Sequence, residues 1–495
     1  MEYLHTMKKI QLIYTKSGNV YIYNYKYRTL LYIHPILKYI ISKYNAGEKL
    51  DLDMLCHNMP MVPKKKIEYY INKFYYIKDN FCQEKEEKLT FLRYTPQIIE
   101  DLFKNSPQIV FEVTSYCNLK CKYCAYGELY NNVNYVKNNS LDFKKAKLLI
   151  DSFINYWKSK DYKYYNKIQY ISFYGGEPLL NFELITQLVN YINKQTKNLN
   201  IKIQYTITTN GTLLDLFHKF LINNNFLILI SLDGNETNNQ YRVYKNGKTT
   251  FSKVFKNIEY LYQNYPVYFN KNISFNSVLH DKNSIEDIES FFISHFDKKP
   301  LIGEITDVDE NNDSKEFIEQ IRKKNNKPID KTLINLENSP VVKILYGFLY
   351  HYSGIIYNDY TDLYFKKSKY IQTGTCKPFA KKVYLTSDGK ILACERISHK
   401  FALGYITDKE MQINFTQIAE KYNRMLDNIK YKCASCSLNK MCQKCIFNIK
   451  DIENSNINCD YYAQKDKTAN LFSQYISILE EDTNLFFNLV TSYFG

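Results

Sequence analysis

Three cysteines stand close together in the stretch SYCNLKCKYCAYG, at positions 117, 121 and 124. A structural zinc site needs four protein ligands, so this C-x3-C-x2-C group is one ligand short of a closed zinc site. Three thiolates around a cubane [4Fe–4S] cluster would leave one iron without a protein ligand, and an open iron can bind a substrate or cofactor. Cys117, Cys121 and Cys124 therefore predict an open iron–sulfur site, and the spacing alone leaves zinc as the alternative.

Glycine and polar residues close the three strand-like segments that come next along the chain. Gly175, Gly176 and Glu177 lie in FYGGEP, Asn210 lies in TTNGT, and Ser231 begins SLDG. Because the carboxyl ends of parallel strands meet on one face of an αβ barrel, we expect these residues to lie close to the cysteine loop. Glycine also allows the backbone to approach a ligand closely.

Strand-like and helix-like segments alternate from residue 105 to residue 310 and must position these residues. The predicted strands are 108–114, 168–175, 201–211, 226–234, 272–279 and 301–306, and the predicted helices are 140–157, 184–194, 213–224, 251–264 and 285–296. Ser140 is the predicted N-cap of the first of these helices. Repeated strand–helix units require parallel pairing, which predicts an α/β fold with a partial (β/α)6 TIM-like barrel.

The motif C-x3-C-x-(aromatic)-C, in which Tyr123 is the aromatic residue, resembles that of the radical S-adenosylmethionine (radical SAM) enzymes over residues 108–310. The resemblance implies that the three cysteines hold a [4Fe–4S] cluster, whose open iron binds S-adenosylmethionine. One electron then gives a 5′-deoxyadenosyl radical that abstracts hydrogen from the substrate. The cofactor-binding residues implied are Tyr123, Gly175, Gly176, Glu177, Asn210, Ser231 and Arg242. Arg242 would pair with the cofactor carboxylate, and the alternative is a surface ion pair.

Seven further cysteines follow a second pattern, C-x12-G-x4-C, a gap, C-x2-C-x5-C-x2-C, a gap, and C. Alone, the two C-x2-C pairs would suit a zinc knuckle. Downstream of a radical SAM motif they resemble the SPASM extension, although Cys445 follows its neighbour after two residues rather than three. The resemblance implies two auxiliary [4Fe–4S] clusters. Cys433, Cys436, Cys442 and Cys459 would ligate the outer one, and Cys376, Cys394 and Cys445 the inner one.

Glu395 follows Cys394 directly and has two interpretations. In sulfatase-maturing relatives an aspartate in the equivalent place acts as a base, and a carboxylate beside the substrate could take the proton released on oxidation. The alternative is a salt bridge with Arg396 or a lysine.

Enzymes with SPASM extensions mostly modify ribosomally made peptides, and the whole chain resembles the peptide maturases of Bacteroidetes type. The predicted partners are a precursor peptide with a leader and an electron donor such as flavodoxin or ferredoxin. Residues 1–100 would form a small α+β, winged-helix-like domain that binds the leader as an added strand. Two alternatives stay open: an anaerobic sulfatase-maturing enzyme that makes formylglycine, and a non-catalytic iron–sulfur electron carrier or sensor.

The remaining predictions concern organisation and location. The predicted domains are 1–100, 105–310 (radical SAM core), 311–370 (linker or substrate-specific insertion), 371–465 (SPASM) and 466–495 (C-terminal helices). The formal charge of +15 reflects scattered lysines rather than a stripe, which argues against nucleic acid. The N-terminus has no apolar signal segment and no run is long enough to span a membrane, which predicts a cytoplasmic protein whose cysteines are metal ligands rather than disulfides.

Overall fold

The computed structural model describes most of the chain. The described residues are 10–24, 29–81, 93–124, 139–159, 168–305, 315–322, 340–353, 375–439, 442, 444–454, 457 and 459–491. They fall into two compact units. The first unit comprises residues 1–93, 327–375 and 425–495, and the second comprises residues 94–326 and 376–424.

The second unit is built on a mixed sheet with ten strands among the described residues. In chain order they are β4 (Gln108–Thr114), β5 (Ile168–Gly175), β6 (Lys202–Thr209), β7 (Leu227–Ser231), β8 (Ile273–Leu279), β9 (Leu301–Glu304), β10 (Val383–Leu385), β11 (Lys390–Leu392), β12 (Gly404–Ile406) and β13 (Met411–Ile413). The spatial order is β13-β12-β11-β10-β4-β5-β6-β7-β8-β9, and β4 to β9 pair in parallel with their chain neighbours. The six predicted strands are therefore confirmed as a parallel set, consistent with a partial barrel.

Helices precede, connect and follow these parallel strands, and those between the strands agree with the alternating pattern. They are α4 (Pro96–Lys104), α5 (Phe143–Lys158), α6 (Phe182–Thr196), α7 (Leu214–Asn223), α8 (Phe251–Asn264), α9 (Pro266–Asn272), α10 (Ile285–Phe296) and α11 (Lys315–Ile321). The N-cap of α5 is Asp142, whose carboxylate accepts the N–H of Lys144 at 2.7 Å. The prediction of Ser140 as N-cap was wrong, because its hydroxyl instead lies 3.0 Å from that of Thr114 at the end of β4.

Four short strands extend the sheet beyond the predicted set. β10 pairs in parallel with β4, and β11, β12 and β13 continue from it in antiparallel order. They lie within residues 371–465, the segment predicted as the SPASM domain, for which no strands were predicted. The C-terminal part of the chain therefore completes the same sheet that carries the three-cysteine loop.

The first unit begins with an antiparallel sheet of β1 (Leu12–Tyr14), β2 (Val20–Asn24) and β3 (Thr29–Tyr32), in that order. The helices that follow are α1 (Pro35–Asn45), α2 (Leu52–Asn58) and α3 (Lys64–Tyr76); later come α12 (Pro340–Phe348), α13 (Phe415–Ser435), α14 (Lys465–Glu481) and α15 (Thr483–Thr491). α13 runs from the second unit into the first. Gly47, two residues after the end of α1, has a φ of +80°, in the left-handed region that glycine favours.

The N-terminal sheet shares a core with the C-terminal helices. Ile13 of β1 packs in one buried cluster with Phe348 of α12 and Phe472 of α14. The hydroxyl of Tyr21 donates to Glu480 of α14 at 2.7 Å, and Ser473 donates to the Tyr14 carbonyl. Within the described ranges, none of the helices combines the length and the apolar character that a membrane span requires.

Candidate active site

The three-cysteine loop packs against the glycine turn that ends β5. The N–H of Gly176 donates to the carbonyl of Thr114 at 2.9 Å, and the N–H of Glu177 donates to that of Tyr116 at 2.8 Å. A Cβ on Gly175 would lie 2.2 Å from the Thr114 oxygen, and one on Gly176 would lie 2.2 Å from the Tyr116 oxygen. Gly175 also has a φ of +134°, which strains other residues. The two glycines therefore allow the loop that carries Cys117 to lie directly on the end of β5.

Glu177 joins this turn to the end of β6. Its carboxylate is fully buried and accepts the Thr209 hydroxyl and the Asn210 N–H, each at 2.7 Å, and the Leu179 N–H at 3.2 Å. Burial raises the pKa of Glu177 to about 7, although these hydrogen bonds oppose the rise. Both carboxylate oxygens are thus engaged by the protein, so Glu177 holds the strand ends together.

Asn210 contacts the first cysteine. Its amide nitrogen lies 3.8 Å from the Cys117 sulfur and 2.9 Å from the Asn118 side-chain oxygen. Its own oxygen accepts the hydroxyl of Thr212 at 2.7 Å. A hydrogen bond to a ligating sulfur tunes the potential of an iron–sulfur cluster. The structure thus places Asn210 beside Cys117.

Asp233, in the SLDG segment after β7, is a charged residue that the sequence reasoning missed. It is fully buried, and its Oδ1 lies 3.0 Å from Nη2 of Arg242 and 2.9 Å from the N–H of Val278. The hydroxyl of Tyr123 donates to its other oxygen. Burial is the largest influence and opposes ionisation, but Arg242, His280 and these hydrogen bonds hold the pKa of Asp233 below its usual range.

Arg242 is buried beside the cysteine loop. Its guanidinium carbon lies 5.5 Å from the centroid of the Tyr123 ring. Burial raises the pKa of Cys121 to about 12, and Arg242 is the main charge that opposes this rise. Among the described residues, the buried Nε of Arg242 has no hydrogen-bond partner. Arg242 thus forms a buried ion pair rather than a surface one. Its Nε–H could still donate a hydrogen bond to a carboxylate.

Tyr123 and Ser231 occupy different positions around this cluster of charges. The Tyr123 ring is buried and stacks on His280 at a centroid distance of 5.8 Å, so it anchors the cysteine loop to Asp233. Ser231 is the last residue of β7, is half-buried and pairs with Asn276 of β8.

One face of the parallel sheet is partly exposed and carries polar as well as apolar side chains. Buried and half-buried residues alternate along β6, β7 and β8, with Ile207 and Ile230 buried and Thr206 and Thr208 half-buried. The hydroxyl of Ser172 lies 2.6 Å from that of Thr206 across β5 and β6. Parallel sheets buried on both faces are usually apolar throughout, so this alternation indicates a face that can receive a polar ligand.

The second unit also brings Cys394 towards the cysteine loop. Burial raises the pKa of Tyr174 on β5, and the Glu395, Cys124 and Cys394 groups raise it further, which places all three near the Tyr174 hydroxyl. Glu395 accepts two hydrogen bonds from Lys382, at 2.9 and 3.1 Å. Burial opposes ionisation of Glu395 most, but Lys382 holds its pKa below the usual range.

Four C-terminal cysteines line one small cavity in the first unit, here called the outer cysteine cavity. They are Cys433, Cys436, Cys442 and Cys459. Burial raises the pKa of Cys433 to about 12, and Cys442, Cys436 and Cys459 raise it further, so the four thiols are close neighbours. This is the predicted outer ligand set, and Cys445 is not among the residues that line the cavity.

In the part of the chain that the structure describes, no three His, Cys, Asp or Glu side chains lie close enough for a single metal ion. The buried cysteines beside Arg242 and Asn210 suit an anionic cluster, because each of these side chains places donors near a thiolate.

Comparison with known proteins bears on the parallel strands and their helices. Residues 111–292 match the family described as the Radical SAM superfamily. The match begins within β4 and ends within α10. These residues form a radical SAM domain. A [4Fe–4S] cluster and S-adenosylmethionine, the cofactors predicted from the cysteine motif, are those of this superfamily.

Three relatives extend the comparison. The uncharacterized protein MJ0907 of Methanocaldococcus jannaschii is 40% identical over 162 residues, which are 32% of this chain and 50% of that protein. The radical SAM cyclopropyl synthase TigE of Paramaledivibacter caminithermalis is 27% identical over 339 residues, 66% of this chain and 64% of that protein. A cysteine-type anaerobic sulfatase-maturating enzyme of Clostridium perfringens is 28% identical over 370 residues, 72% of this chain and 94% of that enzyme. The chain thus spans half the length of MJ0907.

Proposed function

We propose that this protein is a radical SAM maturase that oxidatively modifies a ribosomally made precursor peptide, forming a crosslink or thioether. The observation that carries the proposal is the loop of Cys117, Cys121 and Cys124, which lies on the double-glycine turn beside the buried Arg242. When bound and reduced, the cluster supplies the electron that cleaves S-adenosylmethionine, and the resulting 5′-deoxyadenosyl radical abstracts hydrogen from the peptide.

The residues of the second unit would position the cofactor. Arg242 would donate from its unpartnered Nε to the cofactor carboxylate, while Asp233 holds the other side of the guanidinium. The backbone of Gly175 and Gly176, rather than the engaged carboxylate of Glu177, would receive the amino group of the methionyl part. Ser231 would contact the cofactor at the end of β7.

The C-terminal cysteines would hold two further [4Fe–4S] clusters as in the SPASM extension. The outer cysteine cavity supplies four thiols and so would enclose a fully ligated cluster. By the cysteine pattern of that extension, Cys376, Cys394 and Cys445 would ligate the inner cluster. We expect anaerobically purified protein to contain about twelve irons per chain, in three clusters.

The N-terminal sheet would bind the leader of the precursor. β1 is covered by α14, to which its backbone is hydrogen-bonded at Tyr14, whereas β3 is the other outer strand of this sheet. Ile33 donates its N–H to Val20, so the N–H of Tyr32, one residue earlier, faces away from β2. The Tyr32 side chain is 57% exposed. This edge can pair with an extended peptide.

A point substitution tests leader binding better than deletion does, because deletion of residues 1–100 would expose the core around Ile13. Tyr32→Pro removes the outward N–H, and Tyr32→Ala is the matched control that keeps it. We expect Tyr32→Pro to weaken precursor binding and modification, with S-adenosylmethionine cleavage unchanged in the absence of peptide. Equal behaviour of the two variants would exclude pairing at this edge.

A second candidate is formylglycine formation, favoured by the sulfatase-maturating relative that aligns over 94% of its length. The two functions predict different products. Co-expression with a precursor peptide, followed by mass spectrometry, should show loss of two hydrogens per new bond. Conversion of a sulfatase-derived Cys or Ser peptide to the aldehyde, with no change in the precursor, would select the second candidate.

A further inference from the structure

Two lysines line the outer cysteine cavity together with its four cysteines. Lys444 lies between Cys442 and Cys445 in sequence and is only 7% exposed. Its ammonium lies 4.8 Å from the centroid of the Tyr461 ring. The ammonium of Lys432 donates to the Ile457 carbonyl at 2.9 Å and lies 5.6 Å from the centroid of the Tyr462 ring.

These contacts hold both ammonium groups at the cavity. Aromatic rings attract cations, and a carbonyl acceptor fixes the direction of the Lys432 side chain. One nearby acidic group is Asp460, whose carboxylate lies 3.2 Å from the Lys444 ammonium. The Asp460 side chain is 65% exposed, so water and salt screen its charge more than they screen that of the buried lysine.

Charge at this position acts on the oxidation state of a bound cluster. An oxidised [4Fe–4S] core with four thiolates is a net dianion, and the electron that reduces it makes a trianion. A nearby buried cation stabilises the trianion more than the dianion, since the attraction grows with the charge. Net charge around the sulfurs is one of the factors that set the reduction potential of such clusters.

We infer that Lys432 and Lys444 raise the reduction potential of the outer cluster and make it an electron acceptor. The inference rests on the proposed function, which places a cluster in this cavity. The peptide gives one hydrogen atom to the 5′-deoxyadenosyl radical, and the peptide radical then loses one electron and one proton to form the product. The auxiliary clusters, when bound, would take up this electron, and an electron-carrier protein would remove it. Lys432 and Lys444 are positioning residues, and their charges favour transfer of the electron from the peptide radical to the outer cluster.

The test measures reduction potentials in the full chain. Lys444→Met and Lys432→Met remove one charge each and keep an unbranched apolar side chain. Lys430→Met is the matched control, because Lys430 lies on the same helix, α13, pairs with Asp427 at 3.8 Å and does not line the cavity. All variants carry Cys117→Ala, Cys121→Ala and Cys124→Ala, which removes the signal of the first cluster. Potentiometric titration followed by electron paramagnetic resonance reports the remaining clusters.

We expect Lys444→Met to lower the ratio of reduced to oxidised outer cluster about tenfold at a fixed potential, which is about 59 mV for one electron. Lys432→Met should shift the same signal in the same direction, and Lys430→Met should leave it in place. Unshifted midpoint potentials in both variants, with iron content retained, would overturn this inference and leave the proposed function standing. If Lys444→Met loses the cluster, Lys432→Met decides. Zinc in this cavity of the unaltered protein would instead contradict the proposed auxiliary cluster, and metal analysis separates the two failures.

Discussion

The buried pair of Asp233 and Arg242 allows structural support and cofactor binding to be measured separately. The two side chains are 3.0 Å apart, with exposures of 0% for Asp233 and 9% for Arg242. Removing one partner leaves a buried, uncompensated charge, which costs about 3–5 kcal/mol of folding free energy. We therefore expect Asp233→Asn and Arg242→Met each to destabilise the protein by this amount. The double variant should lose much less than the sum, because neither charge remains.

Binding of S-adenosylmethionine should depend on the Arg242 side chain and not on the intact ion pair with Asp233. Arg242→Met and the double variant should weaken binding by about 2–5 kcal/mol, since the donor to the cofactor carboxylate is gone. The lower bound is roughly a 30-fold rise in Kd. Asp233→Asn keeps the guanidinium and should bind with a smaller loss. Anaerobic denaturation and equilibrium dialysis of reconstituted protein measure the two quantities. Additive destabilisation, or unchanged binding in Arg242→Met, would refute the reasoning.

Three further predictions concern single residues. Gly176→Ala should displace the cysteine loop, because the added Cβ would meet the Tyr116 carbonyl. Iron analysis of this variant should show a loss of about four irons per chain. Gly303→Ala is the control and should keep its iron, because its Cβ would have only a 3.9 Å contact. Burial raises the pKa of Glu112 from 4.5 to about 7, so the folded state binds a proton that the unfolded state has lost at intermediate pH. The free energy of unfolding should therefore fall by about 3 kcal/mol as the pH rises from about 4.5 to 7. In denaturation measured from pH 5 to 8, Glu112→Gln should remove this fall, and the exposed Glu319→Gln should not. Because Lys382 lowers the pKa of Glu395 and pairs with it, we expect Glu395→Gln to slow peptide modification less than tenfold, and a loss of about 100-fold or more would restore its role as a general base.

The parallel strands could be predicted because short segments rich in apolar and β-branched residues alternate with helix-like segments and end at glycine or polar residues. β4 and β5 have the predicted bounds, 108–114 and 168–175. The strands β10 to β13 could not be predicted, since three residues are too few to show a period. Ser140 and Asp142 both suit an N-cap, and only the packing of Thr114 against Ser140 decides between them.

The candidate site could be predicted in its ligands but not in its supports. Cysteine spacing predicts which thiols act together, and the structure gathers the four outer ones around one cavity. Asp233 is the third residue of SLDG, and nothing in that tetrapeptide shows that its carboxylate is buried. The signal available was Arg242, nine residues later, because a buried guanidinium requires an anionic partner. The sequence also did not indicate that both carboxylate oxygens of Glu177 accept hydrogen bonds at the end of β6, from Thr209 and Asn210.

The central claim is that Cys117, Cys121 and Cys124 hold a cluster that cleaves S-adenosylmethionine reductively. The most direct measurement is the formation of 5′-deoxyadenosine by anaerobically reconstituted protein after reduction with dithionite. The account predicts 5′-deoxyadenosine and methionine in equal amounts from the unaltered protein and none from the Cys124→Ala variant, whose outer cysteine cavity keeps its iron. Absence of 5′-deoxyadenosine from unaltered protein that contains about twelve irons per chain, or equal formation by Cys124→Ala, would contradict the account.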